Sequence, residues 1–248
     1  IKTLCLEDPA ENLSKTNYTQ PALFIVSALE FLKQKEKQES SPSYLAGHSL
    51  GEYSALFAAN VIDFETGIKL VQKRGALMSQ ASGGGMAAII GLASQAIENV
   101  IKENNLTTIQ IANLNEPNQT VISGEKNAIL ESQKLFEAAG AKRYIPLAVS
   151  GAFHSKFMEN AKQEFASFIE NITFNKPSLP VIANVTAAPV DQNNIKELLV
   201  DQIASSVRWV ESIEYILKQG ESDFLEVGPG KVLSGLIAKI KRSQLVKQ

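Results

Sequence analysis

The segment Gly47-His48-Ser49-Leu50-Gly51 has the G-x-S-x-G pattern of a serine nucleophile. It lies between a short apolar segment (44–46), which we expect to be a strand, and a helical run (52–59). A sharp strand-to-helix turn exposes the serine hydroxyl at a helix N-terminus, where backbone N–H groups stabilise developing negative charge. Such a turn brings backbones close together, so glycine is expected at both flanks. A glycine-rich turn that contains a serine by chance is the alternative, and the strand–helix context favours the nucleophile.

A serine nucleophile needs a base, and the chain has two histidines. His48 adjoins the serine, and we expect its side chain to point away from the substrate. His154 lies in a predicted loop and is the other candidate, although a purely structural histidine is an alternative. Asp63 is the one aspartate between Ser49 and His154, and it is better explained as a helix N-cap. We therefore expect a Ser–His dyad with a backbone or amide oxygen orienting the imidazole, while a glutamate in that role remains open.

Composition excludes several other functions. The 24 basic and 26 acidic residues give a net charge of −2, which argues against a nucleic-acid-coating protein. The sequence has no cysteine cluster, no histidine pair at i, i+4 and no acidic loop of the kind that binds a metal. We therefore predict no metal site. Cys5 has no partner for a disulfide, which favours a reducing, cytoplasmic location. No stretch approaches the roughly 20 apolar residues that span a bilayer.

The elements that must position these residues predict an α/β fold. Strand-like segments at 44–46, 181–185 and 223–227 alternate with helices, which indicates a mainly parallel sheet. Residues 83–148 have the order β-α-β-β-α-β, which is typical of a ferredoxin-like unit. We therefore predict a core formed by 1–82 and 149–248, with 83–148 inserted as a subdomain.

Six spaced motifs resemble the malonyl-CoA:acyl carrier protein transacylases and the related acyltransferase domains of polyketide synthases. In chain order they are Tyr18-Thr19-Gln20-Pro21-Ala22-Leu23, Gly47-His48-Ser49-Leu50-Gly51-Glu52-Tyr53, Val61-Ile62-Asp63-Phe64 with Arg74-Gly75, Gly151-Ala152-Phe153-His154-Ser155, Val207-Arg208-Trp209 and Glu226-Val227-Gly228-Pro229-Gly230-Lys231. The resemblance runs along nearly the whole chain. It implies an α/β-hydrolase-like core with a ferredoxin-like insert.

The resemblance also implies roles for the catalytic residues. Ser49 would be the acylated nucleophile and His154 its general base and acid. The Leu50 backbone N–H would donate to the oxyanion, and the main-chain carbonyl of Gln202 would orient the histidine.

The substrate-binding residues follow from the same resemblance. Arg74, which alone would be taken as a surface charge, would pair with the free carboxylate of malonyl through two charge-assisted hydrogen bonds. Gln20 would line that pocket, and Phe153 would exclude branched acyl groups. Asn113 and Asn115 would lie near the path of the pantetheine arm.

The implied activity is transfer of a malonyl group from malonyl-CoA to the phosphopantetheine thiol of an acyl carrier protein, through a malonyl-serine ester, in fatty acid or polyketide biosynthesis. No permanently bound cofactor, nucleic acid or membrane is expected, and we expect a monomer. Two alternatives stay open, namely an acyl hydrolase of the same family and an inactive, truncated scaffold that binds carrier protein. Relatives of the hydrolase kind tend to lack the arginine, so Arg74 favours transfer.

The family opens with a strand followed by a Gly-Gln-Gly-x-Gln segment, which supplies a second oxyanion donor. No such segment precedes the motifs above, so we expect the sequence to begin after it. Loss of one oxyanion donor typically costs about 10²–10³ in rate.

Overall fold

The computed structural model describes residues 2–8, 10–37, 41–149 and 151–245. The first elements are α1 (Lys2–Leu6), α2 (Thr16–Lys37), β1 (Leu45–Ala46), α3 (Gly51–Ala58) and α4 (Phe64–Ser79). They are followed by β2 (Gly84–Ile90), α5 (Ser94–Glu103), β3 (Gln110–Glu116), β4 (Gln119–Glu125), α6 (Lys126–Glu131), α7 (Gln133–Ala138) and β5 (Arg143–Pro146). The last are α8 (Glu159–Ile169), β6 (Val181–Ile182), α9 (Ile195–Gln202), α10 (Trp209–Lys218) and α11 (Val232–Leu245). The fold is therefore mixed α/β, with one parallel and one antiparallel sheet.

The parallel sheet is small and ends at the predicted nucleophile. Strand β1 pairs with β6 in the register Leu45 to Val181 and Ala46 to Ile182. Buried helix faces surround it, because side chains of α3, α4, α8 and α9 form one continuous apolar core with Val181. The chain leaves β1 directly into Gly47, so the sheet sets the position at which the turn begins.

The strand predicted at 223–227 is wrong. These residues form neither a strand nor any backbone–backbone hydrogen bond within the described part of the chain, and Leu225 is exposed. An apolar segment becomes a strand only where a neighbouring strand satisfies its N–H and C=O groups. No described strand forms hydrogen bonds with this segment, so it stays irregular.

The segment between residues 84 and 146 has the predicted order of strands and helices. Its four strands are antiparallel, in the spatial order β3-β4-β2-β5. The helix predicted at 126–139 is two short helices, α6 and α7, which meet at the buried Ser132. The helices cover one face of the sheet and share an apolar core with it, formed among others by Ile89, Ile97, Ile122 and Phe136.

Two small residues let α2 approach α4 closely. A Cβ added at Gly67 would lie 2.1 Å from the ring of Phe24, and one at Gly75 would lie 3.0 Å from the Thr16 carbonyl oxygen. Gly67, Arg74 and Gly75 lie on the buried face of α4. The close packing therefore brings Arg74 against the neighbouring helix, where Gln20 is also buried.

The antiparallel sheet contacts the rest of the fold through its strands β3 and β2. The Val207 N–H donates to the Ala112 carbonyl (2.8 Å), and the Leu114 N–H donates to the Val207 carbonyl (2.9 Å). A Cβ added at Gly84 would lie 2.3 Å from the nitrogen of Ala152, so β2 packs against the loop that carries His154. The sheet thus supports one wall of the site.

Candidate active site

The turn at Ser49 is a strained elbow between β1 and α3. Ser49 has a φ of 50°, in the left-handed region that non-glycine residues rarely adopt. A Cβ at Gly47 would lie 2.0 Å from the carbonyl carbon of Gly51, whereas a Cβ at Gly51 would contact nothing within 4 Å. The expectation that both flanks need glycine is therefore wrong, because the close approach involves only the α-hydrogen of Gly47.

The side chain of Asn184 holds the elbow from behind. Its Oδ1 accepts from the Ser49 N–H (2.7 Å), and its Nδ2 donates to the Gly47 carbonyl (2.7 Å). Asn184 follows β6, which pairs with the strand that leads into the elbow. Hydrogen bonds on both sides of the peptide can maintain a backbone conformation that costs about 1–3 kcal/mol by itself.

His154 lies next to the serine hydroxyl. Its Nε2 is 2.8 Å from Ser49 Oγ, and its Nδ1 is 2.9 Å from the carbonyl oxygen of Gln202 and 3.2 Å from that of Ser205. Carbonyl oxygens only accept, so Nδ1 carries the proton and Nε2 accepts from the serine hydroxyl. No carboxylate contacts the imidazole in the described part of the chain; two carbonyls occupy that position.

Burial is the main reason that the pKa of His154 is lowered to about 3, and the positive charge of Arg74 lowers it further. His154 is therefore neutral across the physiological pH range and can accept a proton. An anion placed on Arg74 would offset that charge and stabilise the imidazolium that forms when the serine is deprotonated.

Arg74 completes the centre of the site. Its side chain is 1% exposed, with Nη2 3.0 Å from Ser49 Oγ and 3.0 Å from Gln202 Oε1, and Nη1 2.7 Å from Gln20 Oε1. Its guanidinium carbon also lies 5.6 Å from the ring centroid of Tyr53. All its oxygen partners are neutral, and no carboxylate lies within ion-pair distance among the described residues. Such a buried cation is suited to binding an anionic group beside the serine.

Gln202 connects all of these residues. Its main-chain carbonyl accepts from His154, while its Oε1 accepts from Arg74. Its Nε2 donates to the Ser49 carbonyl (2.9 Å) and to Glu52 Oε2 (2.7 Å). Both hydrogen-bond partners of Nε2 are acceptors. The amide nitrogen must therefore face them, and the amide oxygen faces Arg74.

A cavity of about 390 Å³ opens over these groups. Ser49, Arg74 and His154 line it together, so the three groups share one site. The other predicted lining residues found there are Gln20, Leu50, Asn113 and Phe153. The Leu50 N–H makes no hydrogen bond within the described residues, and it is available to a ligand in the cavity.

His48 and Asn115 are hydrogen-bonded to each other. His48 is among the residues that line the cavity, and its Nε2 is 2.8 Å from Asn115 Oδ1. Its ring also packs edge-on against Trp209, with the centroids 5.6 Å apart. Asn115 is not among the residues that line the cavity.

Sequence reasoning missed Glu52 and Asn184. No role was assigned to Glu52 from the sequence, yet this residue is fully buried and accepts from Gln202 and from the Asn184 N–H. The sequence does contain a signal for this burial, because Glu52 adjoins Tyr53 on α3 and belongs to the buried positions of that helix. Asn184 has no local signal, because its partners are about 135 residues away along the chain.

A serine on a strained elbow, a histidine bonded to it and an adjacent buried guanidinium are the groups that serine-dependent acyl transfer to or from an anionic acyl group requires. Residues 1–246 match the family described as the acyl transferase domain. The chain therefore belongs to the acyl transferase domain family.

Several known proteins similar to the chain carry transacylase names. The chain is 52% identical over 243 residues to the polyketide biosynthesis malonyl CoA-acyl carrier protein transacylase PksC of Bacillus subtilis (strain 168), covering 98% of this chain and 84% of that protein. Its structure is similar to that of the malonyl CoA-acyl carrier protein transacylase from Burkholderia pseudomallei, with 46% identity, a TM-score of 0.93, and coverage of 97% of this chain and 84% of that one. It is also similar, at 43% identity and a TM-score of 0.93 over 97% of this chain and 80% of that one, to a malonyl-transacylase solved with its type II PKS acyl-carrier protein, PlMCAT:AntF.

No helix within the described ranges has both the length and the apolar character needed to cross a membrane.

Proposed function

We propose that this protein transfers a malonyl group from malonyl-CoA to the phosphopantetheine thiol of an acyl carrier protein through a malonyl ester on Ser49. The observation that carries the proposal is the distance of 3.0 Å between Arg74 Nη2 and Ser49 Oγ in a shared cavity. The carboxylate carbon of a malonyl group lies two bonds from its thioester carbon. A guanidinium next to the nucleophile can therefore bind the carboxylate while the serine attacks.

In the first half-reaction, Ser49 Oγ attacks the thioester carbon as His154 Nε2 takes its proton. The oxyanion of the tetrahedral intermediate forms beside the Leu50 N–H. The C–S bond then breaks, and His154 returns the proton to the CoA sulfur, which leaves malonyl on the serine.

In the second half-reaction, His154 removes the proton of the phosphopantetheine thiol, and the sulfur attacks the ester carbon. The Ser49 oxygen leaves and regains the proton from His154, so the enzyme ends in its starting state. The protein's own residues supply every proton transfer, and the phosphopantetheine arrives on the carrier protein.

Arg74 acts on the acyl group in both steps. Charge-assisted hydrogen bonds from Nη1 and Nη2 would hold the malonyl carboxylate, in place of the neutral oxygens that these nitrogens now contact. The same anion would support proton uptake by His154. Phe153 and Gln20, which line the cavity, would restrict the acyl group to a small one.

We also infer that the fold is an α/β-hydrolase-like core, residues 1–82 and 149–248, with a ferredoxin-like subdomain at 83–148. The parallel pair β1 and β6 beneath the elbow supports the first part. The β-α-β-β-α-β order and the separate apolar core of the inserted segment support the second.

Intact-mass measurement tests the proposed function directly. After incubation with malonyl-CoA, the protein should gain one malonyl group, the Ser49→Ala variant should gain none, and added holo acyl carrier protein should remove the group and carry it. Rapid release of free malonate with no loading of the carrier protein would identify a hydrolase instead. Persistent absence of any adduct on the wild-type protein would support a scaffold that only binds carrier protein.

A further inference from the structure

Among the described residues, the positive charge of Arg74 has one buried carboxylate near it, that of Glu52. Glu52 is fully buried on α3, where it is hydrogen-bonded to Gln202. Its Oε2 accepts from Gln202 Nε2 (2.7 Å) and from the Asn184 N–H (3.1 Å), while its Oε1 has no hydrogen-bond partner within the described residues. The mechanism above does not use this carboxylate.

Gln202 separates the carboxylate from the guanidinium by the width of one amide group. Its Nε2 donates to Glu52 while its Oε1 accepts from Arg74 (3.0 Å). A carboxylate in direct contact with Arg74 would occupy the position that an acyl carboxylate needs. Held behind the amide, Glu52 balances the charge of Arg74 and leaves Nη1 and Nη2 in contact with neutral oxygens, which an acyl carboxylate can replace.

Few other titratable groups surround Glu52. Helix α4 contributes Arg74 and its own helix contributes Tyr53, while His154 on the opposite loop interacts with Arg74 and with His48 at the elbow. The neighbouring side chains from α2 and α9, Gln20 and Gln202, are neutral. Burial lowers the pKa of both histidines and raises the pKa of Tyr53, which keeps these three groups uncharged near neutral pH. Arg74 and Glu52 are therefore the charged pair of this site.

We propose, on the basis of the function proposed above, that Glu52 is the counter-ion of Arg74 in the free enzyme and that its ionised form takes up one proton from solvent when a malonyl carboxylate binds to Arg74. The malonyl group brings a second carboxylate to a buried site that holds one guanidinium. Two carboxylates that share a low-dielectric site do not both stay ionised. The malonyl carboxylate contacts Arg74 directly, so Glu52 is the one that becomes neutral, with Oε1 free to carry the proton.

The environment of Glu52 already places it close to that transition. Burial raises its pKa to about 7, although the hydrogen bonds from Gln202 and Asn184 and the charge of Arg74 act in the opposite direction. At pH 7 about half of the Glu52 side chains are then ionised, so loading one malonyl group should take up about half a proton. At pH 6 the uptake should be about a tenth of a proton, because most Glu52 side chains are already protonated.

The test is a measurement of protons taken up per malonyl ester formed. One equivalent of malonyl-CoA is mixed with the enzyme in weakly buffered solution containing a pH indicator, at pH 6 and at pH 7, and the ester on Ser49 is quantified by intact mass. In this range the released CoA thiol stays protonated, so the chemistry itself neither takes up nor releases a proton. The matched control is Glu52→Gln, which keeps the size of the side chain and an oxygen for Gln202 and Asn184 but cannot ionise.

Uptake that rises about fivefold between pH 6 and pH 7 in the wild type, and is lost in Glu52→Gln, supports the proposal. Equal uptake by the two proteins, or none in the wild type while the ester forms in full, overturns it and leaves the proposed function intact. If the Glu52→Gln variant forms no malonyl ester, the wild-type measurement alone is the test. Proton uptake by the wild type that does not depend on pH then overturns the proposal. Absence of the ester in the wild type would instead contradict the proposed function.

Discussion

Arg74 is held in the site by neutral oxygens. Gln20 and Gln202 each offer it an amide oxygen, and Ser49 offers its hydroxyl. Burial lowers its pKa, so the guanidinium pays a desolvation cost that these neutral contacts only partly offset. An incoming carboxylate therefore gains a charge-assisted interaction that no other described residue supplies.

Replacing Arg74 with Ala should separate malonyl transfer from acetyl transfer. We expect kcat/KM for malonyl-CoA to fall by about 10- to 100-fold, the equivalent of about 1.5–3 kcal/mol for hydrogen bonds to a charged group. Acetyl transfer should be unchanged or faster, because an acetyl group has no carboxylate. The measurement is a comparison of the two rates for wild type and variant, and an equal loss for both acyl groups would show that Arg74 is purely structural.

His154 gives the site an unusual pH dependence. Because its pKa is lowered to about 3, the free base form persists well below the ordinary histidine pKa of about 6.5. Burial, the larger cause of this shift, persists when malonyl is bound, so the rate of Ser49 acylation at saturating malonyl-CoA should stay nearly constant between pH 8 and pH 6. Single-turnover release of CoA measures this rate, and a decline with an apparent pKa near 6.5 would contradict the neutral, buried histidine.

At the scale of the elements, the elbow depends on how closely β1 and α3 approach. Gly47 directly follows β1 and lies against the first turn of α3. A Cβ at this position would overlap the carbonyl group of Gly51. Gly51 begins the helix with open space at the position of its missing Cβ. The two glycines of one motif thus have different physical requirements.

The pair Gly47→Ala and Gly51→Ala tests this difference. Gly47→Ala should shift the elbow and lower transfer by about 100-fold or more, because a displacement of about 1 Å of a reacting group has that effect. Gly51→Ala should fold as well as the wild type or better, since glycine lowers helix stability by up to about 1 kcal/mol relative to alanine. Thermal unfolding and malonyl loading of both variants provide the comparison, and equal damage from the two substitutions would argue against the geometry of the turn.

At the scale of the whole molecule, the buried ionisable groups connect the site to stability. Glu52 has a pKa of about 7 in the folded chain against an ordinary value of 4.5, so the folded state holds a proton that the unfolded state releases between these values. The stability that this proton contributes is fully present below about pH 4.5 and is lost as the pH rises through 7.

Glu52→Gln should therefore become more stable relative to the wild type as the pH increases. The difference in free energy of unfolding should change by about 3 kcal/mol between pH 4.5 and pH 7.5. Denaturant unfolding of both proteins at several pH values measures it, and all other titrating groups cancel in the difference. If the difference in free energy of unfolding does not vary with pH, the pKa of Glu52 is not raised in the folded state.

The local patterns of the sequence determined the elements that surround the site. The G-x-S-x-G motif between a strand and a helix predicted the turn at Ser49, and Asp63 caps α4 as expected, with Oδ1 2.7 Å from the Thr66 N–H. The order of strands and helices between 84 and 146 also follows from its own periodicity. These features depend on residues within a few positions of one another, so sequence reasoning reaches them. The absence of an aspartate partner for His154 could likewise be argued from composition alone.

Only the tertiary structure decided which distant groups meet. Gln202 reaches Ser49 and Glu52 across about 150 positions, and its amide oxygen faces Arg74 because both donor contacts of Nε2 are taken by other acceptors. Glu52 is buried because α3 packs on the sheet with this side chain inward, and the segment 223–227 is irregular because no described strand pairs with it. Hydrogen bonds and burial between residues far apart in the chain depend on how whole elements pack, and no local pattern contains that information.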